Sequence, residues 1–124
     1  MMIDAVGVDI ADVERIRKAI GRWGDRFVER TFSRREAEYC RKHRDEAIRF
    51  AARFAAKEAF VKCMGTARGI PWNEIELVND RSGKPRIEVS ERIRAELETR
   101  KVLRVHVSVS HTAQYAVAFV VFET

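Results

Sequence analysis

The chain has 124 residues, enough for one domain with a modest core, expected to span residues 1–124. Hydrophobic residues at 46% and charged residues at 35% give a soluble globular composition, and no apolar run is long enough to span a membrane. A net charge of +5 points to an anionic partner, which leaves nucleic acid, a phosphorylated small molecule or an acidic protein. The opening MMIDAVGVDI has an acid at position 4 and no basic segment, so no secretory leader is expected. Cys40 and Cys63 have no metal-ligand spacing and read as reduced thiols of a cytoplasmic protein, with a disulfide as the alternative. There is no internal repeat, low-complexity segment or linker.

Met2 to Ile10 is apolar and β-branched and predicts a first strand. Asp9 near its end is either a turn former or a metal ligand at a sheet edge. Asp12 predicts the N-cap of a short helix from Val13 to Ile20, stopped by Gly21, with an apolar stripe of Val13, Ile16 and Ile20 among basic residues. Gly24 interrupts, and Arg26 to Phe32 predicts one or two further helical turns. Ser33 and Glu36 form a capping box, S-x-x-E, for a helix from Arg34 to about Lys42, and His43–Asp45 is a polar hinge.

Phe50 to Gly65, rich in Ala and free of Pro, predicts a long central helix. Glu58 and Lys62 share one face beside the small Ala51 and Ala55, which is either room for a ligand next to an acid and a base or an ordinary exposed salt bridge. Arg53 and Lys57 are turned well away. Ala52, Ala56, Ala59 and Cys63 make a thin strip that lets the helix lie close against a sheet. Gly65 and Gly69 bracket the next loop. Trp72 to Val78 and Pro85 to Val89 predict two strands joined by the Asn79–Gly83 turn, the second near an edge. Ser90 caps a helix from Glu91 to Arg100. Val102 to Ser110 alternates, with Leu103, Val105, Val107 and Val109 on one side, and His106 on the other reads as a cross-strand neighbour. Tyr115 to Phe122 predicts a buried strand forming an antiparallel hairpin with it. Strands at both ends and helices between them give an α+β fold, a small antiparallel sheet packed against a long central helix.

There is no P-loop, no dinucleotide fingerprint, no C-x-x-C and no nucleophile elbow, and the three histidines lack metal-ligand spacing. Ser110-His111-Thr112 at a strand end suits either base or phosphate recognition or an ordinary turn. A basic nucleic-acid module is a rival reading, but Phe27, Phe32, Phe54 and Phe60 fit packing positions and no RNA-recognition signature is present. A magnesium-dependent nucleotide hydrolase is a second rival.

Gly7-Val8-Asp9-Ile10 with Arg15-Ile16, then Phe50-Ala51-Ala52-Arg53-Phe54-Ala55-Ala56-Lys57-Glu58-Ala59 with Lys62 and Gly65, then Gly83-Lys84-Pro85, then Val107-Ser108-Val109-Ser110-His111-Thr112, occur in one order. In this the chain resembles the holo-acyl-carrier-protein synthases, the short 4'-phosphopantetheinyl transferases, over nearly its whole length. The resemblance implies transfer of phosphopantetheine from coenzyme A to a serine of apo acyl carrier protein, releasing adenosine 3',5'-bisphosphate in support of fatty acid biosynthesis. It also implies a cytoplasmic, magnesium-dependent homotrimer with active sites in clefts between subunits, and neither nucleic acid nor membrane as partner. Carried over residue by residue, Asp9 and Glu58 would hold Mg2+. Lys62 would stabilise charge on the pyrophosphate or shuttle a proton. Arg53, Lys62, Gly65, Gly83, Lys84, Pro85, Ser110, His111 and Thr112 would hold coenzyme A. Arg15, Arg22 and Arg26 would face the acidic carrier. Longer relatives carry D-x-E at the first motif, and the Ala11 of this chain predicts a water in place of the second carboxylate.

Overall fold

A computed structural model describes residues 1–65 and 70–124. In chain order the elements are β1 (Ile3–Asp12), α1 (Val13–Trp23), α2 (Asp25–Thr31), α3 (Arg34–Arg41), α4 (Glu46–Met64), a 3-10 turn (Trp72–Glu74), β2 (Ile75–Asn79), β3 (Pro85–Val89), α5 (Glu91–Thr99), β4 (Arg104–His111) and β5 (Tyr115–Glu123). Two antiparallel sheets result, one of order β1-β5-β4 and one of β2-β3. The fold is therefore the expected α+β arrangement, with α4 as its centre. Gly69 lies outside the described residues.

The capping chemistry sets the helix starts. Asp12 accepts from the backbone N–H groups of Glu14 (2.9 Å) and Arg15 (3.2 Å). Ser33 and Glu36 form the full capping box, and Ser90 accepts from Ile93 N–H. Gly65 ends α4 in the left-handed conformation, φ 83°. Several boundaries differ from expectation. Helix α1 continues through Gly21, which adopts helical angles, and stops at Gly24, φ 57°, whose N–H returns to Ile20 O at 2.8 Å. Helix α4 begins at Glu46, because the predicted hinge ends at Asp45, which stands at the N-cap position. Trp72–Glu74 forms a 3-10 turn ahead of the strand. Leu103 falls outside β4 and is 80% exposed, so it takes no part in the inward row.

The inward row of the larger sheet lies against α4. Along β5 it consists of Ala116, Ala118, Val120 and Phe122, all at most 1% exposed. Phe50 and Phe60 of α4 are also fully buried, and Phe60 meets Phe122 edge-on at 5.1 Å. The thin strip of Ala52, Ala56, Ala59 and Cys63 is buried as expected. Both cysteines are free and buried, and burial pushes the Cys40 thiol up to about 12 and the Cys63 thiol up to about 11. Burial at those values keeps both protonated and unreactive.

One ion pair lies inside this core. Lys57 Nζ is 2.6 Å from Glu36 Oε1, and both residues are 1% exposed. The same ammonium donates to Trp72 O at 2.8 Å and to Ile75 O. Glu36 also accepts from Ser33 N–H and Leu77 N–H, each at 3.0 Å. Burial pushes the Lys57 pKa down, and Glu36 opposes that shift. Because removing one partner strands the other charge without water, Lys57→Met is expected to destabilise the fold by about 3–5 kcal/mol. The double replacement Lys57→Met with Glu36→Gln should recover much of that loss. Urea denaturation of both variants is the measurement, and equal losses would show that the pairing is immaterial.

Candidate active site

Strand β1 presents alternate residues to opposite sides. Gly7, Asp9 and Ala11 turn toward α4, whereas Val6, Val8 and Ile10 turn outward and are 51%, 46% and 64% exposed. Asp9 is therefore brought to α4 at the level of Glu58 and Lys62. Lys62 Nζ lies 3.3 Å from Asp9 Oδ1 and donates to Val8 O at 2.9 Å. Glu58, half-buried, has its pKa raised first by burial and then by the negative charge of Asp9, with Lys62 opposing. The shift places the two carboxylates within each other's field.

Asp9 and Glu58 line one cavity of about 440 Å³. Its far wall is α1, through Arg15, Ile16 and Trp23, and Phe27 and Phe54 complete its apolar side. Glu58 therefore does have space beside it, but not where the sequence suggested. Ala51 and Ala55 are fully buried, and the open side is toward Phe54 and α1. Ala11 lines the cavity with a methyl group at the position where longer relatives are expected to carry a carboxylate.

Arg53 goes elsewhere. It is 4% exposed, with its guanidinium 4.1 Å above the Tyr39 ring, and Nη2 donates to Asn79 Oδ1 at 2.8 Å. Its Nε is buried without a hydrogen-bond partner, and among the described residues it pairs with no carboxylate. Asn79 Nδ2 donates in turn to Gly83 O at 2.9 Å, so Arg53 and the Gly83-Lys84-Pro85 turn form a second cluster. Asp80 shapes that turn by accepting from Ser82 and from Lys84 N–H, and these bonds, Ser82 first, hold its carboxyl below the usual range. Ser110, His111 and Thr112 form a third, exposed group at the end of β4. His111 pairs with Ala116, which pairs with Ala11, so His111 is on the same sheet face as Asp9, two strands or about 10 Å from Ala11. Ser110 turns to the other face, and Thr112 Oγ1 accepts from Gln114 and Tyr115 N–H to form the turn.

The three carrier-facing candidates separate. Arg15 lines the carboxylate cavity. Arg22 lies over the Trp23 ring at 4.9 Å. Arg26 lines a neighbouring cavity that shares Trp23 and Phe27 and adds Trp72, stacked on Phe54 at 5.3 Å. Trp23 is a site-wall residue that the motif reading passed over, and Phe27 and Phe54, read there as packing residues, are walls of the same cavity. The signal was present in the apolar stripe of α1, which continues from Ile16 through Ile20 to Trp23.

Among the described residues no three His, Cys, Asp or Glu side chains gather as metal ligands. Asp9 and Glu58, the latter with its pKa held up by burial and by the Asp9 charge, fit a hard cation of the Mg2+ kind, which takes one or two protein carboxylates and completes its shell with water and substrate phosphate.

The 4'-phosphopantetheinyl transferase superfamily matches residues 5–120 of this sequence. The holo-[acyl-carrier-protein] synthase of Syntrophus aciditrophicus is 41% identical, over 98% of this chain and 97% of the relative. That of Koribacter versatilis is also 41% identical, over 98% and 99%. The crystal structure of the Neisseria meningitidis holo-[acyl-carrier-protein] synthase superposes with a TM-score of 0.92 at 33% identity, covering 99% of this chain and all of that one. A Bacillus anthracis holo-(acyl-carrier-protein) synthase in complex with coenzyme A (3',5'-ADP) superposes with a TM-score of 0.82 at 34% identity, covering 100% and 99%. On the match along its length and the shared fold, this chain belongs to the holo-acyl-carrier-protein synthases of the 4'-phosphopantetheinyl transferase superfamily.

Proposed function

We propose that this chain, acting as one catalytic domain, transfers the 4'-phosphopantetheine group of coenzyme A to a serine hydroxyl of apo acyl carrier protein. Holo carrier protein and adenosine 3',5'-bisphosphate are the products, and the reaction serves fatty acid biosynthesis. The observation that carries this reading is the cavity in which Asp9 and Glu58 face Arg15 beside an apolar wall. Phosphoryl transfer depends on charge neutralisation and alignment more than on covalent participation. Asp9 and Glu58 are the residues that would hold Mg2+, whose positive charge, when bound, offsets that of the diphosphate. Lys62, already anchored beside Asp9, adds a cation at the same place. The apolar side formed by Trp23, Phe27 and Phe54 keeps water from competing with the serine. Arg53, with Nε unpartnered and no carboxylate beside it among the described residues, is suited to an anionic group near the Gly83-Lys84-Pro85 turn. Ser110, His111 and Thr112 would complete the nucleotide end, and Gly65 would shape the chain leaving α4. No helix among the described residues is long and apolar enough to cross a membrane, and we place the reaction in the cytoplasm.

The three clusters lie apart within one chain, which accords with clefts formed between subunits of a homotrimer. A further support is the uncovered face of the larger sheet. Val8 stands opposite Phe119 there, with Ile10 and Tyr115 alongside, all 46–64% exposed. A contiguous apolar face of this kind marks a contact surface. Val8→Lys with Phe119→Lys is therefore expected to yield a folded, inactive monomer. Light scattering on the wild type is the check, and an active wild-type monomer would overturn the shared cleft.

Incubation with coenzyme A and apo carrier protein should produce a carrier heavier by one phosphopantetheine, read by mass spectrometry. Asp9→Ala and Glu58→Gln should each abolish that gain. Glu58→Gln should also make the metal-free protein more stable at neutral pH. The Glu58 pKa is raised in the fold, so its favourable contribution is present only below the unfolded carboxylate value and is lost as pH rises. The gain over wild type should accordingly shrink as pH falls through the raised Glu58 value and be gone below about 4.3, where the carboxyl is protonated in folded and unfolded chain alike. Near-normal transfer by Glu58→Gln at low magnesium would sink the two-carboxylate site.

Arg22 and Arg26 would steer the acidic carrier. Each exposed pair is worth only about 0.2–1 kcal/mol, but several raise the association rate together and are screened by salt. Arg22→Glu with Arg26→Glu should raise the carrier KM at least about tenfold, two charge reversals each worth on this scale close to 1 kcal/mol. The coenzyme A KM should stay unchanged, and the salt dependence of carrier affinity should flatten. A rise in the coenzyme A KM instead would place these arginines at the nucleotide.

A further inference from the structure

The first motif contains a glycine that none of the chemistry above uses. Gly7 lies mid-strand in β1, turned toward α4, where a glycine has no turn to make. A Cβ built on it would fall inside the carbonyl oxygen of Ala59 and 3.0 Å from Cys63 Sγ. The obstacle is helix backbone, which cannot rotate aside. Glycine within a strand marks such a close backbone approach.

The approach is fastened on both sides. Cys63 Sγ donates to Val120 O at 3.3 Å, and Val120 is the β5 partner of Gly7. Lys62 Nζ holds Val8 O at 2.9 Å, the next residue along β1. Asp9 follows two residues after Gly7 on the same strand face, about 6.7 Å along. Glu58 precedes Ala59 by one residue, a rise of about 1.5 Å on α4. The point of nearest contact between strand and helix is thus within roughly one helical turn of both carboxylates.

We propose that Gly7 is a positioning residue for the reaction: the absence of a side chain seats β1 on the α4 backbone at Ala59, and that seating sets the separation of the Asp9 and Glu58 carboxylates. This rests on the reading of those two acids as a divalent-ion site. An added methyl must lift β1 from α4, because packed interiors give no slack for it. The lift opens the carboxylate pair, whereas Arg53 and the Gly83 turn are joined to each other through Asn79 rather than to β1.

The test uses the full chain and Mn2+ as probe, with binding in the presence of coenzyme A followed by electron paramagnetic resonance. Gly7→Ala should lose Mn2+ affinity by at least about tenfold, the scale seen when groups that orient metal ligands are changed. Its kcat should fall with the carrier KM and the metal-free coenzyme A affinity unchanged. Cys63→Val enlarges the other side of the same contact through a side chain, and it should show the same pattern in milder form if Gly7→Ala does not fold. Wild-type Mn2+ affinity in a folded Gly7→Ala, or in Cys63→Val where the first fails to fold, with only thermal stability reduced, overturns the inference. A wild-type chain whose Mn2+ binding is absent or indifferent to Asp9→Ala overturns the two-carboxylate reading, and this inference with it.

Discussion

The buried pair of Lys57 and Glu36 is the contact on which the arrangement of the other elements depends. An ammonium has three hydrogens to donate, and here they meet Glu36, Trp72 O and Ile75 O. The carboxylate opposite takes the Ser33 N–H that starts α3 and the Leu77 N–H of β2. A single interaction therefore ties α4 to α3, to the 3-10 turn and to the smaller sheet. Desolvating both charges is costly, and it is tolerated because every polar atom of the pair is matched.

The neighbouring residue of the same helix does the opposite work. Lys57 faces inward and Glu58 faces the cavity, so consecutive charged residues of one motif divide between holding the fold and forming the site. Glu58 is kept at a cost, since burial and Asp9 both disfavour its ionised form. That cost is characteristic of functional positions, where stability is given up for a charge that a ligand will neutralise. The rigid scaffold beneath, built by Lys57, is what lets the carboxylate stay in place.

The apolar residues divide in the same way. On β1 the inward positions are small, Gly7 and Ala11, and bring strand and helix together. The outward positions Val6, Val8 and Ile10 are large and uncovered. The strand is thus apolar on both sides, and the described residues of this chain cover only one of them. Trp23, Phe27 and Phe54 show the third use of apolar area, as walls of the cavity that holds the acids.

Much of this was determined by the sequence alone. Caps at Asp12, Ser33 and Ser90 follow from local chemistry, in which a side chain satisfies backbone groups within three residues, the stop at Gly65 from the left-handed conformation that glycine allows, and the C-terminal strand pairing from alternation about a short turn. The pairing of Asp9 with Glu58 and Lys62 was legible from ordered motifs, though not from spacing, because 49 positions separate the two acids. Tertiary structure alone decided the rest. It buried Ala51 and Ala55 and opened the cavity toward Phe54 instead, and it drew Arg53 away to Tyr39 and Asn79. It also carried α1 past Gly21. The physical reason is common to all of these: which face of a helix is open depends on what packs against its other faces, and that is fixed by elements distant in the chain, such as α1 and β2 against α4, rather than by the residues of the helix itself.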